Sequence, residues 1–342
     1  MSSSEGGGAS QTGEMLRTPA SIVRTPGPKA KSVASSSGHL GDRIFKGITF
    51  FFALIIAAIV ILIVVETARN SQLPIRKFGW SFLGSSAWDP VHEQYGALPF
   101  VFGTAVSSII SLLIAVPISV GVAVFLVETS PRKLASPILF LVQLLAAIPS
   151  VVFGMWGIFV LAPFLRNRIY PVFQSVFGWL PIFQGNQNGL GMLTASIILA
   201  VMIVPIITAV TTDVLRAVPG TQREASLALG ATKWEAALIV LDNAKSGILG
   251  AIIIGLGRAV GETMAVTMLI GNRAQIVASL FAPGYTIASV VANEFTEATS
   301  EIHRESLIML CLVLFLVTFI INILARLLVW SVTRGEGRGA HV

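Results

Sequence analysis

Phe50-Phe51-Phe52-Ala53-Leu54-Ile55-Ile56 lies in the middle of a run from residue 44 to residue 65 whose only charge is Lys46. A helix needs about 20 apolar residues to cross the hydrocarbon of a bilayer, so this run is long enough to span one. It is too long for the apolar region of a signal peptide, and no small-residue cleavage site follows Val65. It therefore reads as a permanent membrane helix.

Working outward from it, runs of similar length recur near 98–127, 136–165, 190–212, 246–270 and 306–331. The pattern predicts an all-α, multi-pass membrane protein with six spans. Pro117 and Pro149 fall within the second and third runs, which are longer than crossing requires, so each is expected to tilt or kink. Composition agrees with this reading: of 342 residues 54% are hydrophobic and only 12% charged, against roughly a quarter charged in soluble domains. A soluble enzyme is excluded as the default. The formal net charge of +6 would suit a nucleic-acid partner, but in membrane chains cations collect on the cytoplasmic side. With both termini inside, 15 of the 23 Lys and Arg residues face the cytoplasm and 7 face out, with Arg258 inside a span. That distribution predicts cytoplasmic N- and C-termini and no nucleic-acid partner.

Residues 1–40 are rich in Ser, Gly, Thr and Pro and lack aliphatic periodicity. Such a segment cannot bury enough apolar surface to offset its ordering entropy, so a disordered cytoplasmic tail is expected, with a lipid tether as the functional alternative. Residues 41–342 form the membrane domain.

Two places in that domain carry chemistry. In the connection 213–245, Pro219-Gly220 makes a turn, Thr221 to Leu229 are good helix formers, and Gly230 is placed to end the helix. A second helical stretch follows from Thr232. This projects a short helix–turn–helix from the membrane, either a docking element or an ordinary amphipathic loop. In the fifth run, Arg258 and Glu262 stand four apart on one helical face, beside Gly257 and Gly261, which also stand four apart. Ionisable groups at that depth cost a few kcal/mol on insertion scales and should face a bundle interior or a wet cavity. The pair is either a packing ion pair or a translocation site where Arg258 meets an anion. The glycines would let another helix approach.

Thr104, Ser107, Ser108 and Ser111 form a stripe of small polar residues that reads first as a packing surface and second as a pore lining. Trp80, Trp88 and Tyr95 read as interfacial anchors, with a docking surface as the alternative. No G-x-x-x-x-G-K-[ST] occurs, so the chain is not expected to hydrolyse ATP. Gly255 and Gly257 lie inside a span and cannot open a dinucleotide fold. His39, His92, His303 and His341 lack metal-ligand spacing, Cys311 is alone, and no nucleophile–base pair is visible.

Glu224-Ala225-Ser226, followed after three residues by Gly230, resembles the EAA loop of ABC-importer permeases. The family pattern closes with Ile-x-Leu-Pro, where this chain has Ile239-Val240-Leu241-Asp242 and no proline. The run from Gly255 through Arg258-Ala259-Val260-Gly261-Glu262 to Val266 is similar to phosphate-importer permeases. So are the stretches Gly96-Ala97-Leu98-Pro99-Phe100 and Ala147-Ile148-Pro149-Ser150. Together these cover residues 78 to 330 and resemble the C-type permease family (PstC) of phosphate importers. The resemblance implies a type I ABC-importer fold in a bacterial plasma membrane and a second, A-type permease partner. It further implies two ATPase subunits holding ATP and Mg, an extracytoplasmic phosphate-binding protein, and no cofactor on this chain. It assigns Glu224, Ala225, Ser226 and Gly230 to ATPase coupling, while Arg258 and Glu262 are the translocation candidates from their depth in the span and the glycines beside them. A permease for sulfate or molybdate, or a scaffold without a substrate path, are the alternatives.

Overall fold

The computed structural model describes residues 38–185 and 188–336. The tail expected over 1–40 lies outside them, except for residues 38–40, which open the first helix. The chain divides into the units Met1–Ala57 and Ala58–Val342. In the first unit, α1 (Gly38–Arg69) begins as a helix whose large apolar side chains from Ile44 to Ile56 are nearly all exposed. A helix that is apolar all round suits surroundings of lipid or of other helices.

The second unit holds the rest of α1, then α2 (Gln72–Phe78), α3 (Leu98–Val124), α4 (Arg132–Ala146) and α5 (Ser150–Phe177). These are followed by α6 (Met192–Ala217), α7 (Gly220–Ala228), α8 (Lys233–Val260), α9 (Met264–Leu269), α10 (Ile287–Glu294) and α11 (Glu301–Glu336). Among the described residues six helices are long and apolar enough to cross a membrane. The only β feature there is an isolated bridge between Asp89 and Gln94.

Two expected spans are divided differently. The third, expected at 136–165, is two helices. Pro149 sits in an extended conformation (φ −58°, ψ 140°), so α4 stops at Ala146 and α5 begins at Ser150 and runs to Phe177. At 15 residues α4 is only about 22 Å long, too short to cross. The fifth, expected at 246–270, begins at Lys233, where Thr232 and Glu235 form a reciprocal capping box, and stops at Val260. Residues 233–245 of the expected connection 213–245 are therefore the first part of α8, and Asp213 to Ala217 close α6.

The most extensive packing is between α3 and α6, where Ala115, Ala200, Ile203 and Ile207 meet Ala251 and Ala259 of α8. Small residues set how close α8 comes. A Cβ on Gly255 would lie 2.7 Å from Ile207, and one on Gly247 would lie 2.4 Å from Val214. With Ala251 and Ala259 these glycines make a face repeating every four residues, the spacing that lets backbones approach.

Residues 271–286 have no regular helix, and towards their end Phe281, Gly284, Tyr285 and Thr286 are buried. Their backbone groups find partners on α6 and α9. Met192 N–H donates to the Ala282 carbonyl (3.1 Å), Leu193 N–H to Leu280 (2.9 Å), and Gly284 N–H to Ile270 (2.9 Å). The first N–H groups of α6, which have no acceptor within their own helix, are thus satisfied by the irregular segment.

Candidate functional site

Arg258 and Glu262 are together, but not on one unbroken helix. Arg258 stands in the last turn of α8, and Glu262 lies in the gap before α9. The gap needs no proline. Gly261 (φ −90°, ψ 0°) ends α8, its N–H bonding back to Gly257 O (3.3 Å), and Glu262 N–H reaches Ala259 O (3.4 Å). The turn keeps the two side chains adjacent: an Arg258 terminal nitrogen is 3.2 Å from Glu262 Oε2. The other carboxylate oxygen accepts from Ala265 N–H in the first turn of α9 (3.3 Å). The two charges differ in exposure. The Glu262 side chain is 3% exposed and that of Arg258 46%.

Arg258 belongs to an open strip with Ile254, Gly257, Gly261 and Met264, all exposed. Nothing lies within 4 Å of a Cβ built on Gly257. The glycine face read from the sequence is therefore free in this chain, and the close approach of α8 to α6 is made by Gly255 instead.

The stripe Thr104, Ser107, Ser108 and Ser111 is buried. Thr104 Oγ1 donates to Phe100 O (2.8 Å) and accepts from Ile287 N–H (3.0 Å), tying α3 to α10. Ser107 and Ser111 donate to the Gly103 and Ser108 carbonyls. The stripe packs helices. Trp80 is exposed, as an interfacial anchor would be, but Trp88 and Tyr95 are not anchors. Tyr95 is buried, Trp88 meets the Tyr95 and Phe100 rings at 5.0 and 4.7 Å, and its indole N–H donates to Glu294 (2.9 Å). His303 approaches the same carboxylate at 3.2 Å. Burial pushes the Tyr95 phenol above its ordinary pKa, so it stays neutral.

At the other end, α7 carries the remaining candidates. Pro219 (φ −57°, ψ 130°) turns the chain into the helix. Beyond its last turn Gly230 adopts φ +90°, its N–H bonding to Leu227 O (3.0 Å) while Ala231 N–H bonds to Ser226 O (3.1 Å). This crossed pair of bonds is a Schellman ending, and the residue at the Gly230 position must tolerate positive φ. Glu224 and Ala225 face outward, whereas Ser226 is buried and donates to Arg223 O (2.8 Å). Leu229 is 90% exposed, and Leu227 and Trp234 are exposed beside it. The tip of this short helix therefore carries apolar side chains that nothing among the described residues covers. Sequence reading did not find that Arg223 forms an ion pair with Glu128, in the π-helical turn Phe125–Thr129 that continues α3. The two lie 95 residues apart, and no local spacing signals the pair.

A family model described as a binding-protein-dependent transport system inner membrane component matches residues 115–334. The chain is 43% identical over 303 residues to the phosphate transport system permease protein PstC of Mesorhizobium japonicum, covering 87% of this chain and 93% of that one. It is 42% identical over 302 residues to the protein of that name from Haemophilus influenzae, covering 87% and 96%. It is 39% identical over 315 residues to PstC 2 of Mycobacterium tuberculosis, covering 87% and 95%. Among solved structures, an inward-facing conformation of the MetNI methionine ABC transporter superposes with a TM-score of 0.50 at 19% identity. It covers 72% of this chain and 99% of that one, a likeness of fold.

Proposed function

The chain belongs to the family of binding-protein-dependent transport system inner membrane components, and from that membership we propose that it is a permease subunit of an ATP-driven importer of inorganic phosphate. The names carried by its relatives support phosphate as the substrate. The observation that carries the site is Arg258: a guanidinium at a helix break, half exposed on an open strip, held in place by a buried carboxylate. Its planar fork presents two parallel N–H donors to two oxygens of a tetrahedral oxyanion at once, a fixed geometry that an ammonium lacks. Glu262 balances the charge while the site is empty and fixes where the guanidinium stands.

The open glycines Gly257 and Gly261 leave room for a second, homologous A-type permease, so the anion path lies between the two chains. The α7 helix, with Glu224, Ala225, Ser226 and Gly230, docks into one of two cytoplasmic ATPase subunits, which hold the ATP and Mg. An extracytoplasmic phosphate-binding protein delivers the substrate. Closure of the ATPases moves α7, and through it the membrane helices, so that the site opens to alternate sides. The chain lies in a bacterial plasma membrane with both termini in the cytoplasm, as the cation count favours.

The test is uptake of radiolabelled phosphate by cells that lack their own importer but carry the partner subunits, with and without this chain. Uptake that depends on the chain and is not competed by excess sulfate or molybdate is expected. Competition by either, or no dependence on the chain, overturns the reading.

A further inference from the structure

The docking helix is joined to the membrane domain through the chain at both ends, to α6 by Val218 and Pro219 and to α8, and by a side chain to α3. Through the Gly230 turn and the Thr232 cap it continues directly into α8, whose far end carries Arg258. It also packs against α8. On the other side Arg223 reaches Glu128, at the end of the turn that extends α3. α3 in turn is fixed at its opposite end. Gly103 abuts the Tyr285 carbonyl so closely that a Cβ would lie 2.1 Å from the oxygen, and Thr104 bonds to Ile287 N–H. Tyr285 and Ile287 border the irregular segment that follows the Glu262 break and α9. From Thr104 to Glu128 the helical rise is about 36 Å. α3 is thus a strut whose one end meets the docking helix and whose other end meets the backbone beyond the translocation site.

Resting on the reading of α7 as the docking helix, we infer that the Arg223–Glu128 pair is the joint that makes α3 move with α7. Without it, displacement of α7 would pass through the chain to α6 and α8 and reach α3 only through the packing of those two helices. The form of the contact suits a joint better than a staple. A pair built for stability uses both arms of the guanidinium fork. Here one terminal nitrogen of Arg223 makes the contact, and its Nε is buried without a partner. A one-nitrogen contact can pivot without letting go. The Glu128 side chain is 10% exposed and that of Arg223 33%, so water competes only weakly for the pair. Glu128 also sits in a π turn, a form of helix common at functional positions.

The experiment uses the complete transporter in proteoliposomes, with C311S as background and L113C as reporter, since Leu113 on α3 is 70% exposed. Uptake per ATP hydrolysed and the vanadate-dependent change in labelling of L113C are both measured. The variants are E128Q, R223Q/E128Q and the reversed pair R223E/E128R. E128Q and the neutral double variant are expected to retain the ATPase subunits yet lose at least about fivefold in uptake per ATP, together with the labelling change. The reversed pair is expected to regain at least half of both. If the neutral double variant stays within about twofold of wild type on both readouts, the pair is not a joint. A reversed pair that assembles but performs no better than the neutral one also overturns it. The two readings fail separately. A wild-type complex that takes up no phosphate, but whose labelling change follows the pair, keeps the joint and removes the substrate. Normal uptake with labelling indifferent to the pair does the reverse.

Discussion

The unequal burial of Arg258 and Glu262 makes their removal unequal, and the sign can be worked out in advance. In R258M the Glu262 carboxylate, 3% exposed, keeps its bond from Ala265 N–H but loses its only ion-pair partner among the described residues. Stranding a charge in a fully buried pair costs about 3–5 kcal/mol. Here one partner is nearly half exposed, so water already shares the pair and about 2–3 kcal/mol is expected. In E262Q the amide oxygen still accepts from Ala265 N–H, and the exposed guanidinium is solvated, so the loss should stay under about 1 kcal/mol. The double variant R258M/E262Q removes both charges and should return to within about 1 kcal/mol of wild type. Thermal unfolding of the purified complex checks the order, with R258M lowered by about 3–4 °C and the other two by no more than about 1.5 °C. Phosphate uptake per assembled complex then separates packing from transport. The double variant should assemble and fail to transport, and R258K should transport weakly, because it keeps the charge but not the fork. Equal destabilisation by R258M and E262Q would refute the burial argument. Near wild-type uptake by the double variant would move the pair from the substrate path to the packing of α8 and α9.

Three further outcomes follow from the geometry. In G103A the new methyl meets backbone that cannot rotate away, so α3 must part from Tyr285 by about 1 Å at a cost near the top of the 1–3 kcal/mol range, whereas G121A on the same helix meets nothing within 4 Å. Unfolding midpoints that do not differ by at least about 3 °C would contradict that approach. G230V has free space but keeps a positive φ, so about 1–2 kcal/mol of local strain should weaken ATPase binding about tenfold, while G220A, equally open and without positive φ, should not. Equal binding by the two variants would show that the ending of α7 is not what the ATPases read. Reporters placed after Val342 and near Asn186 should lie on opposite sides of the membrane, the former cytoplasmic, and finding both on one side would remove the six-span topology.

What could be read from the sequence was what composition and backbone freedom alone decide. Apolar runs as long as the hydrocarbon is thick became helices of span length, because no other regular structure within a single segment satisfies its own backbone in lipid. Gly230 could be placed because one residue type tolerates φ +90° at a helix end. Choices made by tertiary packing could not be read. Pro117 and Pro205 stay inside helices while Pro149 ends one, and nothing local distinguishes them. The glycine that packs is Gly255 and the glycine that stays open is Gly257, two residues along the same run. Trp88 and Tyr95 have the composition of an interfacial belt, but Glu294, about 200 residues later, supplies the acceptor that takes Trp88 inward. Arg223 and Glu128 lie 95 residues apart, and only the fold joins them.

The break at Gly261 has a physical reason that bears on how an anion could bind. In an unbroken helix Glu262 would have Arg258 alone to compensate its burial, because the N–H groups of the next turn would be engaged within the helix. Ending α8 at Val260 and restarting at Met264 frees Ala265 N–H, one of the orphan donors of a helix start, to meet the carboxylate. Glu262 therefore has both oxygens engaged, one by Arg258 and one by Ala265. Arg258 makes its one contact through a single terminal nitrogen, and the remainder of its fork has no partner among the described residues. The buried member of the pair is saturated and the exposed member is not. An anion arriving along the open strip can take the free nitrogens without displacing Glu262, so binding does not carry the cost of stranding a buried carboxylate. The helix break, rather than the charge pair by itself, is what makes that arrangement possible.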